Sequence, residues 1–129
     1  MTKSFLTLPR ILAVDAATCA AMGVALVFAA DPAGSLTGIP APLLYWAGMA
    51  LVPIAGFMAV VARMAPIPIW AINLIILGNA LWVLASIALP LSSAISPSPM
   101  GWLFLLGQAA VVAALTLLER GAAPRAATV

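Results

Sequence analysis

From Met64 to Leu118 the chain has no Asp, Glu, Lys or Arg. No water-soluble fold can cover its surface with a run of that length. Soluble domains carry roughly 25% charged residues, and this chain of 129 residues carries 6%. Its mean hydropathy is +1.25. The solvent that suits such a surface is lipid. The run is also too long for a single helix. Pro90, Pro97, Pro99 and Gly101 interrupt it, because proline removes a backbone donor and clashes with the preceding turn.

A helix that crosses a hydrocarbon core of about 30 Å needs roughly 20 apolar residues. Four segments meet that length: residues 11 to 30, 43 to 62, 69 to 89, and 101 to 118. The connections follow from Pro and Gly content. Residues 31 to 42 hold Pro32, Gly34, Gly38, Pro40 and Pro42 and read as an irregular loop. Residues 63 to 68 form a short link with Pro66 and Pro68. Residues 90 to 100 form an uncharged Ser/Pro loop. Backbone groups facing lipid must bond within their own segment, so the spans have to be helices. The expected fold class is an all-α membrane protein. It is a single integral membrane domain built as a four-transmembrane-helix bundle.

Charge sets the expected orientation. Lys3, Arg10, Arg63, Arg120 and Arg125 are all the basic residues. With both termini in the cytoplasm, all five fall on the cytoplasmic side and the other two loops carry none, as the positive-inside rule requires. The expected location is therefore the inner membrane, multi-pass, with N- and C-termini cytoplasmic. Tyr45, Trp46 and Trp102 then lie near the outer interface and Trp70 near the inner one. A rival reading makes the first segment a cleaved signal peptide ending near Ala29 and Ala30. Asp15, an acid inside its apolar region, argues against it.

Polar residues inside the spans are the candidate site. An ionised Asp at mid-span costs roughly 2.5–3.5 kcal/mol on the insertion scale. Asp15 lies about 9 Å in from Pro9 at 1.5 Å per residue, with Thr18, Cys19 and Met22 on its helical face. In the third span Asn79, Trp82 and Ser86 share a face, while Asn73 points elsewhere. Gln108 lies on a stripe with Gly101, Val112, Leu115 and Glu119, at a depth that suggests pairing with Asn79. The candidate polar membrane site is Asp15, Asn73, Asn79 and Gln108. Arg10, Arg63 and Glu119 are expected to form ion pairs at the inner surface. Ala13, Ala17 and Ala21 make a small-residue row of the kind that lets helices pack closely. Pro53 is expected to kink the second span.

The chain has one cysteine and no histidine. That excludes an internal disulfide, histidine-ligated haem or zinc, and a Ser-His-Asp triad. No metal or other cofactor is expected. No basic cluster with interleaved aromatics supports nucleic-acid binding. The segment from Ile11 to Thr18 resembles the carboxylate-bearing first helix of small multidrug transporters. Gly78-Asn79 is similar to the membrane asparagine of small fluoride channels. Both likenesses stop at these residues, so neither implies a family or a mechanism. Two functions are expected from these features. The first is a non-catalytic accessory or scaffold component of a membrane complex. The alternative is a small oligomeric transporter or channel that uses Asp15 with the membrane amides. An enzyme acting on a lipid-soluble substrate comes last, because nothing completes a catalytic set around Asp15 and Glu119. The expected partners are the lipid bilayer and either further copies of the chain or a larger membrane protein.

Overall fold

The computed structural model describes residues 7 to 123; Lys3 and Arg125 lie outside the described residues. These are all-helical, with five helices: α1 Leu8–Phe28, α2 Ala30–Thr37, α3 Ala41–Ala62, α4 Ile69–Leu91 and α5 Pro99–Ala122. The four long helices have 21 to 24 residues, or about 31–36 Å at 1.5 Å per residue. Each is apolar enough along its length to cross a membrane. The chain is a small multi-pass membrane protein.

Proline and glycine set most of the boundaries. Pro9 occupies the first turn of α1 and Pro42 that of α3, where a missing N–H removes no helical bond. Pro40 and Pro68 precede α3 and α4 as N-caps. Ser98 caps α5 by accepting a hydrogen bond from the Gly101 N–H at 3.1 Å. Pro53 lies inside α3 and Pro90 inside the last turn of α4.

The segment read as an irregular loop contains a helix. Pro32 is the third residue of α2, within the turn whose N–H groups have no intrahelical acceptor, so it does not obstruct the helix. Asp31 lies in that first turn, where a negative charge suits the helix dipole. Gly38 ends α2 with φ +71°, a left-handed conformation that glycine adopts without strain. Gly38 also sits against the loop before α5. The Ser98 N–H donates to the Thr37 carbonyl at 2.8 Å, and the Ser98 hydroxyl donates to the Leu36 carbonyl at 2.8 Å. At Gly101 a Cβ would collide with the Thr37 carbonyl oxygen. Glycine is therefore what lets α2 close over the start of α5.

The long helices alternate in direction, so one end of the bundle holds the start of α1, the end of α3, the start of α4 and the end of α5. A core cluster of Leu8, Leu12, Met58, Val61, Ile72 and Ile75 packs there. A second cluster, with Leu26, Ile39, Leu44, Leu51, Ile95 and Leu105, fills the α2 end. Beside the second cluster α1 and α3 approach closely at Gly23 and Gly48. A Cβ on Gly48 would lie 2.8 Å from the Gly23 carbonyl oxygen, a backbone approach that only small residues permit.

The surface inverts the usual partition. Phe28, Leu81, Leu84, Leu103 and Leu117 are more than half exposed, and the side chains that are buried include Asp15, Asn79 and Glu119. In lipid this arrangement is favourable, because the exposed apolar girdle faces hydrocarbon.

Candidate functional site

Each of the four long helices except α3 contributes a polar group to the bundle interior. Asp15 is at the start of the third turn of α1 and is 1% exposed. Glu119 is in the last turn of α5 and is 0% exposed. Asn79, from α4, stands between them. Its amide nitrogen donates to Asp15 Oδ2 at 3.0 Å and to Glu119 Oε1 at 3.1 Å. The primary amide has two hydrogens on that nitrogen, so one goes to each acid. The Cys19 thiol, one turn along α1 from Asp15, approaches Asp15 Oδ1 at 3.7 Å.

Counting donors against acceptors defines the chemistry of this cluster. Asp15 and Glu119 present four carboxyl oxygens. The Asn79 hydrogens satisfy two, and the weak thiol donor serves a third. The fourth, Glu119 Oε2, is buried and has no hydrogen-bond partner among the described residues. The two carboxyls meet on the same Asn79 nitrogen. A metal ion is disfavoured for a geometric reason: Asn79 turns its N–H groups, not its carbonyl, toward the acids. The position between the carboxylates is therefore lined with hydrogens.

A second polar group lies one to two turns further along α4. The Trp82 indole N–H donates to Gln108 Oε1 at 2.6 Å. Gln108 Nε2 donates to Ser86 Oγ at 2.8 Å and to the Leu105 carbonyl at 3.0 Å. Ser86 in turn donates to the Trp82 carbonyl at 2.8 Å. Asn79, Trp82 and Ser86 thus form one polar face of α4 that serves two networks, the first acidic and the second neutral.

The residues expected from the sequence divide accordingly. Asp15 and Asn79 come together. Gln108 does not pair with Asn79; it belongs to the neutral network with Trp82 and Ser86. Asn73 is exposed on another face of α4 and joins neither network. Glu119, expected in an ion pair at the surface with Arg10 or Arg63, turns inward and takes its hydrogen bond from Asn79. Arg10 and Arg63 are exposed at the end of the bundle where α1 begins and α3 ends. Glu119 and Cys19 are thus the two members of the acidic cluster that the candidate polar site did not include. For Glu119 the signal was present. Its stripe with Leu115 continues the buried face of α5, on which Leu115 and Glu119 are both buried.

Comparison with protein families, with curated proteins and with solved structures finds no match to this chain.

Proposed function

We propose that this protein is a small proton-coupled membrane transporter whose proton-binding site is the Asp15–Asn79–Glu119 cluster. The observation that carries this reading is the fully buried Glu119 carboxyl, which has one oxygen without a partner among the described residues and shares the Asn79 amide with a second buried acid, Asp15. Ionisable groups inside a membrane bundle mark ion and proton paths by default. The pair has room for one proton and an amide that holds both acids in register whether or not that proton is present. The test is proton movement in liposomes reconstituted with the purified protein, compared with Asp15→Asn and Glu119→Gln. Loss of proton movement in both variants is expected. Wild-type protein no more active than empty liposomes, under every imposed gradient and potential, would overturn the reading.

The proposed orientation places the chain in the inner membrane with both termini in the cytoplasm. Support comes from Arg10, Arg63 and Arg120, which sit at the same end of the bundle, as the positive-inside rule asks of a cytoplasmic face. A reporter fused after Arg125 is expected to read cytoplasm, and one inserted between Ser92 and Pro99 the opposite side. Reversed readings would refute the orientation.

A second reading, an accessory or self-associating component, has its own support. Ala13, Ala17, Gly56 and Ala59 line an open groove of about 510 Å³ between α1 and α3. Small residues exposed to lipid suit close approach of another helix. With Cys19→Ala as background, Ala17→Cys is expected to form disulfide-linked dimers in native membranes. Exclusively monomeric protein after oxidation would count against a second copy at this groove.

A further inference from the structure

The neutral network forms one wall of a cavity of about 220 Å³ near the α2 end of the bundle. The rest of the lining is apolar, including Met22, Leu44, Ala47 and Phe104, and no charged residue takes part. An apolar cavity of about 150 Å³ holds a benzene molecule. By proportion, this one holds a molecule of roughly eight to ten heavy atoms.

Hydrogen bonding narrows the ligand further. Every donor hydrogen on the polar wall is already used. The Trp82 N–H goes to Gln108 Oε1, both Gln108 N–H groups go to Ser86 Oγ and the Leu105 carbonyl, and the Ser86 hydroxyl goes to the Trp82 carbonyl. What remains is acceptor capacity: one lone pair on Gln108 Oε1 and one on Ser86 Oγ. An anion finds no donor here. A ligand with only acceptor groups gains nothing from the wall and leaves its own polar atom unpaired. A neutral apolar molecule with one hydroxyl or N–H matches both the volume and the acceptors.

We infer that this cavity binds a small, neutral, mostly apolar molecule bearing a single hydrogen-bond donor, such as an alkylphenol. Its role as transported substrate rests on the proton-coupled reading above; its binding does not. Trp82, which lines the cavity, is one turn from Asn79 on the same face of α4. Occupancy of the cavity and the state of the acid pair therefore meet on adjacent residues.

The experiment uses the full chain in phosphatidylcholine nanodiscs with Trp46→Phe, Trp70→Phe and Trp102→Phe, so that Trp82 is the only indole. The probes are 4-ethylphenol and its methyl ether, 4-ethylanisole, of nine and ten heavy atoms; both fit the cavity, and the ether has no donor. The ether is the more lipid-soluble of the two, so a preference for the phenol cannot come from partitioning into the bilayer. A saturable change in Trp82 emission is expected with the phenol, with affinity for the ether about tenfold lower, the equivalent of one hydrogen bond. Gln108→Leu is expected to remove that preference. Ala47→Leu, which fills the cavity without touching the amide, is expected to abolish binding of both. Non-saturable signals, equal affinities for the two probes, or binding undiminished by Ala47→Leu would each overturn the proposal. The readout is independent of proton movement. Saturable phenol binding by a protein that moves no protons sustains the ligand site and defeats the acid-pair reading; the converse result does the opposite.

Discussion

Asn79→Leu is expected to lower the stability of the bundle by about 3–5 kcal/mol, the range for removing one partner from a buried charged network. The two side chains are close in size and shape, and Asn79 is 8% exposed, so the substitution neither opens a cavity nor overfills one. What disappears is the pair of N–H groups at 3.0 and 3.1 Å from Asp15 and Glu119. Two acids would then face each other across an apolar side chain. Total stabilities of folded domains are about 5–15 kcal/mol, so a loss of this size should appear as a large fall in melting temperature in detergent, or as failure to purify. A second variant separates electrostatics from packing. In Asn79→Leu/Glu119→Gln the new glutamine amide sits where it can donate to Asp15, and the acid–acid contact is gone. That double variant should recover much of the lost stability. A double variant as unstable as Asn79→Leu, or a single variant as stable as wild type, would mean that the Asn79 amide does not hold the two acids together.

The same residues show what the sequence could and could not disclose. The four long helices were legible because their signal is long and one-sided: an apolar run near 20 residues admits few alternatives in lipid. Asp15 and Asn79 stood out because each is a polar residue well inside such a run. The short helix α2 was hidden by composition. Pro32 and Gly34 read as loop residues, but proline in a first turn is harmless, and the decisive glycine was Gly38, just past the helix end. The sequence puts Glu119 at the surface because the last apolar residue marks the apparent helix end. In the structure α1 starts at Leu8, not residue 11, and α5 runs to Ala122, not residue 118. Leu8 and Leu12 belong to a core cluster that Ala122 also packs against. The packed interior therefore extends past Glu119. The expected Asn79–Gln108 pair failed for a related reason. Counting from helix ends gives depth to within a turn or two, and the register that side chains choose is finer than that. Trp82 and Ser86 offer Gln108 a donor and an acceptor further along α4, and Glu119 takes the place opposite Asn79.

Glu119→Gln and Asp15→Asn should each leave the fold intact and remove proton movement entirely. The cause is the Glu119 oxygen without a partner among the described residues. In Glu119→Gln an N–H group can occupy the position of Glu119 Oε2, so the orphan acceptor becomes a donor. In Asp15→Asn the new amide can donate to Glu119 in the same way, while its carbonyl still accepts from Asn79. Each variant reproduces the hydrogen-bond count of a pair that carries one proton, and neither can exchange it. A purely structural cluster predicts unchanged or improved stability in both variants and no difference in transport, because the wild type would move nothing. A proton-binding cluster predicts the same stability together with a loss of flux to the level of protein-free liposomes. Infrared difference spectroscopy adds a readout that does not require transport. A protonated carboxyl has a C=O stretch distinct from that of a carboxylate or an amide. In the wild type that band should rise and fall as pH is cycled. The share of the band that comes from the cluster should vanish in the Asp15→Asn/Glu119→Gln double variant, which retains Asp31 as the remaining acidic side chain, exposed in α2. A band undiminished in the double variant would belong to other carboxyl groups and not to the cluster. A wild type with no such band at any pH would leave Asp15 and Glu119 without a proton to exchange, and the transport reading would fall with it.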